Sequence, residues 1–381
     1  MVRFAAILRE DVLRAGIVGL PLVGKTTIFN LLTQGEVDTS SWGGRTEAHI
    51  GVAQVPDENL ERLAEIFQPK KVAFATVEYV DLPGLGRGEG KAALEGQSRD
   101  LTSYLSNLKN VDLLVHVVRA FQDANVPHPE GSVDPKRDVG LFELEMIFAD
   151  LAIVEKRLER LAKDLKKVRS ADLELENAIL ERFKIALESE RPLREMDLTA
   201  EEKKRVKGFT FLSAKPILLV LNLGDEDVRR IETAAGDFGL HAMAAMRGVG
   251  WTAVCGKIEA EIESLPAQDA RIFMDDLGFK ESGLVRIIHQ SYSLLDLLSF
   301  YTVGDPEVHA WTIPRNTTAH QAAGVIHTDF ERGFIKAEVA TLSDMLELRS
   351  FQAVRSKGSL RLEGKEYVVQ EGDVILFRFN V

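Results

Sequence analysis

The chain has 381 residues, one cysteine (Cys255) and a formal net charge of −12. That length suggests two or three domains. The lone cysteine excludes an internal disulfide framework, and the acidic balance argues against nucleic-acid binding through bulk charge while leaving room for a local basic face.

No apolar run is long enough to span a bilayer. The first residues carry too short an apolar stretch for a signal peptide, so a cytoplasmic protein with no membrane partner is expected. The run Ala15-Gly-Ile-Val-Gly19 reads as a short buried strand. Gly19-Leu-Pro-Leu-Val-Gly24-Lys25-Thr26 then fits the phosphate-loop pattern GxxxxGK[ST], and Thr27-Ile-Phe-Asn-Leu-Leu32 reads as the start of a helix. Glycines at both ends let several backbone N–H groups converge on one phosphate. Gly19, Leu22, Val23, Gly24, Lys25, Thr26 and Thr27 are therefore candidate nucleotide-binding residues. Lys25 would reach the β and γ phosphates, and the Thr26 hydroxyl would hold magnesium.

Arg45-Thr46-Glu47 lies where a first switch loop belongs. Thr46 is a candidate magnesium ligand there, with a surface-loop threonine as the bland alternative. Residues 77–81 read as a strand ending in Asp81-Leu-Pro-Gly84. Asp81 can hold magnesium through water, and the Gly84 N–H can sense the γ phosphate. Lys25, Asp81 and Gly84 form the candidate catalytic set. Leu85 stands where many GTPases orient water with Gln, which implies that intrinsic hydrolysis is slow or uses another group. Residues 113–118 form another strand-like run.

Ile147, Leu151, Val154, Leu158, Leu161, Leu165 and Val168 recur at steps of four and three. After a turn at residues 169–172, Ile179, Leu180, Phe183 and Leu187 give a second stripe. An antiparallel helical hairpin is expected, serving either as a spacer or as a partner-binding arm. Thr199-Ala-Glu-Glu202 reads as a capping box. Ser213-Ala-Lys215 resembles a base-contacting motif, but it precedes the strand at residues 217–222 that ends in Asn222-Leu-Gly-Asp225. Asn222, Leu223 and Asp225 are the base-side candidates, an Asp carboxylate being able to accept from guanine. Cys255 and Gly256 follow at a position where backbone could meet the base, although Cys255 reads equally well as a small buried thiol. Near residue 301 the chain turns strand-rich, with runs at 308–313, 334–339, 359–362, 367–369 and 374–379 and turns marked by Gly324 and Gly372.

Nearly the whole chain resembles the Obg-like ATPases of the YchF type. GLPLVGKTT, IGVAQVPDENLERLAEIF at residues 50–67 and DLPGLGRGEG at 81–90 are similar to that family's first half. Residues 281–313, 322–339 and 361–379 resemble its carboxyl-terminal TGS domain. The resemblance implies an α/β phosphate-loop NTPase domain with a mostly parallel sheet over residues 1–140 and 212–300. It also implies an inserted helical coiled-coil arm over 141–211 and a β-grasp-like TGS domain over 301–381. It further implies ATP hydrolysis, with GTP as an alternative substrate, magnesium as cofactor, and a ribosome or ribosomal subunit as partner. A monomer is expected, and an RNA contact through the TGS domain stays open. Leu22 stands where the family carries an Asn linked to potassium-assisted catalysis, which argues against potassium activation. Asp225 replaces the Glu of the family's adenine-reading motif, which leaves ATP or GTP preference open. The rival reading is a weakly hydrolysing or non-hydrolysing switch that works through partner binding. A phosphate-loop kinase is disfavoured by the TGS-like tail.

Overall fold

The computed structural model describes residues 13–33, 49–82, 104–168 and 170–380. The chain divides into two compact units, Met1–Gly51 with Glu78–Leu294, and Val52–Val77 with Leu295–Val381. From the amino end run β1 (Arg14–Val18), α1 (Lys25–Leu32), β2 (His49–Gln54), α2 (Glu58–Phe67), β3 (Lys71–Ala73) and β4 (Thr76–Asp81). Helix α3, described over residues 104–109, leads into β5 (Leu113–Arg119). Next come α4 (Pro135–Asp164), α5 (Ala171–Glu188), α6 (Ala200–Val206) and β6 (Ile217–Asn222). Two short helices, α7 (Ala234–Asp237) and α8 (His241–Ala244), precede β7 (Val249–Val254), α9 (Gly256–Ser264), α10 (Ala267–Leu277) and α11 (Gly283–Leu294). The remainder is β8 (Leu297–Val303), β9 (Glu307–Pro314), α12 (Ala319–Ile326), α13 (Thr328–Arg332), β10 (Phe334–Thr341), α14 (Leu342–Leu348), α15 (Phe351–Lys357), β11 (Arg361–Glu363) and β12 (Asp373–Phe379). Among the described residues no helix is long and apolar enough to cross a membrane.

The first sheet has the order β2-β4-β1-β5-β6-β7. β1 is parallel to both β4 and β5, and β5–β6 and β6–β7 are parallel too. Every residue of β5 and β6 is buried, as expected when helices cover both faces of a parallel sheet. The chain leaves β1 for β4 on one side, and β5 lies on the other. The loop after Val18 thus sits at a point where the strand order reverses, the usual place for a ligand in an open α/β sheet.

The expected hairpin is α4 and α5. α4 begins at Pro135, ahead of the apolar seam, because Asp134 caps it by accepting from the Arg137 N–H, and a proline fits the first helical position. Ile147, Val154 and Leu161 pack with Ile179, Leu180, Phe183 and Leu187 in one buried cluster. Val168, the last residue of the seam, lies beyond the end of α4 and is exposed. The capping box at Thr199 is present: the Glu202 N–H donates to the Thr199 hydroxyl and the Thr199 N–H to the Glu202 carboxylate, at 3.2 and 2.8 Å.

The segment returning from the hairpin is clasped by buried polar groups. Asp150 accepts from the Leu212 N–H, the Ser213 N–H and the Ser213 hydroxyl at 2.9, 2.7 and 2.7 Å. Arg194 pairs with Glu143 at 2.8 Å and donates through Nε to the Lys215 carbonyl at 2.9 Å. Lys215 donates to the carbonyls of Lys109, the last residue of α3, and of Val111 just beyond it. Ser213-Ala-Lys215 is therefore an anchor for the arm and for α3.

The second sheet has the order β11-β10-β12-β8-β9-β3. It is mixed: β12–β8 and β3–β9 are parallel, whereas β8–β9, β10–β12 and β10–β11 are antiparallel. Leu298, Phe300, Ile313, Val339, Ile375 and Phe377 pack with the alanines of α12. Two expectations are corrected. Residues 367–369 form no strand: only Val368 makes a bridge, to Thr318, and the segment caps the start of α12, the Ala319 N–H donating to the Tyr367 carbonyl at 2.7 Å. Gly324 marks no turn but lies inside α12, where a Cβ would come within 2.8 Å of the Glu331 carboxylate. Gly372 does lie in a turn, with φ +79°.

The Asp150 clasp yields a stability test. Asp150→Asn turns one acceptor oxygen into an N–H donor facing other donors. The expected cost is about 2 kcal/mol. It should be read as a lower urea midpoint with an unchanged slope; a midpoint equal to wild type would remove the clasp from the stability account.

Candidate functional site

The phosphate-loop candidates converge after β1. Gly19 has φ +138°, and a Cβ there would stand 2.3 Å from the Val117 carbonyl oxygen. Gly24 has φ +99°, and a Cβ there would meet the Asn222 Nδ2 at 2.4 Å. No side chain fits at either position. Leu22 also lies in the left-handed region, at φ +63°, with its side chain 55% exposed. Asn adopts that conformation more readily than Leu. Val23 is buried and contributes its carbonyl to the loop rather than its side chain.

Lys25, the first residue of α1, is buried and folds back over the loop. Its Nζ donates to the carbonyls of Gly19 and Leu20 at 3.1 and 2.7 Å. Burial pushes its pKa down to about 8, against the opposing pull of Asp81. The Thr26 hydroxyl donates to Asp81 Oδ2 at 2.9 Å. Burial raises the Asp81 carboxyl, while the Thr26 bond, Lys25 and His49 work the other way. Thr26 and Asp81 thus place two hard oxygen donors together at the start of α1 and the end of β4, a donor set that suits magnesium. Among the described residues no group of three or more His, Cys, Asp or Glu side chains could hold a metal ion. His116 on β5 is fully buried, and its pKa is pushed down to about 3 by burial and then by Lys25; it is a neutral ring packed 4.2 Å from Phe142.

On the other flank lies a groove of about 610 Å³ lined by Gly24, Thr27, Phe121, Leu223, Asp225 and Gly256, among others. Asn222, at the end of β6, ties its two sides. Nδ2 donates to the Val23 carbonyl at 2.9 Å, and Oδ1 accepts from the Gly256 N–H at 3.0 Å. One N–H and one lone pair of the amide remain for a ligand. Asp225 is paired with Lys257 and held below the usual carboxylate range by that bond. The Cys255 thiol lies 3.5 Å from Asp225 Oδ1, buried and with its pKa raised by burial. Cys255 is thus a buried thiol beside Asp225.

Ser213 and Lys215 take no part in this groove. Thr46, Gly84, Arg45 and Leu85 lie outside the described residues. Sequence reasoning missed Phe121, Gln122 and Asp123, which line the groove from the loop after β5. The signal available was positional: they follow directly on the carboxyl end of a buried strand.

Residues 14–139 match a family model described as 50S ribosome-binding GTPase, and residues 297–380 match the model YchF-GTPase_C, described as a protein of unknown function (DUF933). The chain is 42% identical over 370 residues to the ribosome-binding ATPase YchF of Bacillus subtilis strain 168, covering 97% of this chain and 100% of that protein. It is 38% identical over 369 residues to the ribosome-binding ATPase YchF of Escherichia coli O157:H7, covering 97% of this chain and 99% of that one. Its fold is similar to that of the Schizosaccharomyces pombe YchF GTPase, with a TM-score of 0.82, 30% identity, and coverage of 97% of this chain and 98% of the other.

Proposed function

The chain belongs to the YchF family, and on that premise we propose a magnesium-dependent nucleoside triphosphatase that hydrolyses ATP, with GTP as a second substrate, and associates with the ribosome in the cytoplasm. The observation that carries this reading is the meeting of Lys25, Thr26 and Asp81 at the strand-order reversal. A triphosphate entering the loop would replace the Gly19 and Leu20 carbonyls as acceptors for the Lys25 ammonium. The amino end of α1 and the loop N–H groups would face the same phosphates. Thr26 and Asp81 would hold magnesium, which supplies charge neutralisation on the phosphoryl oxygens. Thr46 would complete that shell, and the Gly84 N–H would report the γ phosphate.

The base would lie in the groove, between the Phe121 ring and the backbone at Leu223 and Gly256. Asn222 fixes the two walls. Asp225, kept ionised by Lys257, would accept from base N–H groups. Loss of the γ phosphate would release the switch segments and so alter ribosome binding.

Replacing Lys25 by Ala should abolish triphosphate binding while leaving the melting temperature near wild type. In the intact protein, triphosphate binding needs the ammonium form. Because the free lysine titrates at about 8, affinity should be flat below that pH and fall by up to about tenfold per pH unit above it. Calorimetric titrations across neutral and alkaline pH test both: affinity constant into the alkaline range would contradict the lowered titration of Lys25, and wild-type affinity in Lys25→Ala would falsify the phosphate-loop reading.

The Leu22 side chain offers no oxygen to a monovalent cation, so hydrolysis in potassium and sodium buffers should differ by less than about twofold. Leu22→Asn places a carbonyl oxygen at a left-handed position that suits Asn. It should raise potassium dependence without lowering the melting temperature. Strong potassium activation of the wild-type chain, in matched turnover assays, would show that the ion is recruited without residue 22.

A further inference from the structure

We propose that Arg119 is a positioning residue of the nucleotide site, a buried guanidinium around which residues 120–126 turn and by which the Phe121 ring is presented to the base. The inference rests on reading the groove as the base pocket. Arg119 is the last residue of β5 and is 1% exposed, one of the largest fully buried side chains among the described residues. It sits in register with Asn222 on β6, and the Ala120 N–H donates to the Asn222 carbonyl at 2.8 Å. The turn therefore starts from the same strand ends that hold the amide tying the groove together.

Among the described residues the bonds of the guanidinium go to carbonyl oxygens of the turn rather than to a carboxylate. Nε donates to Phe121 at 3.1 Å, and Nη2 donates to Val126 at 2.9 Å and, more weakly, to Asp123 at 3.4 Å. The guanidinium carbon lies 4.4 Å from the centroid of the Phe121 ring. One planar cation thus fixes both the backbone and the ring of the residue that lines the groove. Asp123 closes the turn further, its carboxylate accepting from the Asn125 N–H at 2.9 Å and its carbonyl from the Val126 N–H at 3.2 Å. Burying a guanidinium without a carboxylate is costly, and Nη1 has no hydrogen-bond partner among the described residues. Carbonyl dipoles and the ring face offset part of that cost. A lysine carries its charge at one point with no planar fork, so it cannot hold the ring and both ends of the turn together.

A purely structural arginine would weaken all ligands alike or only the fold. A positioning arginine affects ligands that carry a base. The test titrates ATP and inorganic tripolyphosphate into full-length wild type, Arg119→Lys, Phe121→Ala and the double variant. Arg119→Lys and Phe121→Ala should each weaken ATP binding about tenfold, with tripolyphosphate binding kept within about twofold, and the double variant should be no weaker than about twofold beyond Phe121→Ala. Additive losses, or an equal loss for tripolyphosphate, overturn the proposal. Loss in Phe121→Ala with none in Arg119→Lys overturns the positioning role alone, whereas unchanged ATP affinity in Phe121→Ala overturns the base-pocket reading with it. Should Arg119→Lys fail to fold, Phe121→Trp keeps Arg119 in place. Read as the difference from wild type, which already carries Trp42, Trp251 and Trp311, the added indole should show the anisotropy of a fixed ring and respond to ATP but not to tripolyphosphate, and a freely rotating indole, blind to ATP, overturns the proposal.

Discussion

The Asn222 carboxamide donates to the Val23 carbonyl and accepts from the Gly256 N–H, at 2.9 and 3.0 Å, and the rest of the site is arranged around that bridge. It joins the phosphate loop to the first turn of α9 across the end of β6. It leaves no room for a side chain at residue 24, which explains the glycine there more directly than loop flexibility does. Because β5 is in register with β6, the same strand ends set the start of the turn that carries Phe121. The glycine loop and both walls of the groove thus meet at Asn222, at the carboxyl edge of a parallel sheet.

The charges of the site follow from their burial. Lys25 sits in a place that disfavours its ammonium and is held by two carbonyls, a set of partners that a triphosphate can replace with stronger ones. Asp81 is likewise destabilised by burial and steadied by the Thr26 hydroxyl. Both groups are poorly solvated, so a ligand that brings a polyanion and a divalent cation satisfies them together. The arm is anchored by different means, with Asp150, Arg194 and Lys215 sealing its base against the body of the first unit.

Much of this was legible in the sequence because the relevant signals are local. The glycine loop between a strand and a helix, Asp81 at a strand end, the four-three spacing of the hairpin and the Thr199 capping box all report their surroundings within a few residues. Where the sequence was silent, the partners are distant. Lys71 of β3 meets Glu307 of β9, 236 residues later, and no local pattern announces that pairing. The position of Ser213-Ala-Lys215 before β6 sets it aside as a base contact, but its actual role depends on Asp150 and the end of α3, which no local pattern announces. Residues 367–369 have strand-like composition, but they cap a helix because the neighbouring ladder positions belong to other strands. Gly324 was read as a turn because a close approach to Glu331 leaves no mark in sequence. Phe121 escaped notice because an aromatic after a strand has no pattern of its own; its meaning comes from Arg119 and from the groove.

On the proposed function, one amide-tied site would take a nucleoside triphosphate together with magnesium. The most direct measurement is a side-by-side calorimetric titration of ATP and GTP into the wild-type chain, with magnesium and with a chelator. At least one of the two should bind at one nucleotide per chain and weaken clearly when magnesium is removed, since Thr26 and Asp81 would otherwise face the phosphates without a cation. Saturable binding that is indifferent to magnesium, or no saturable binding of either nucleotide, would contradict it.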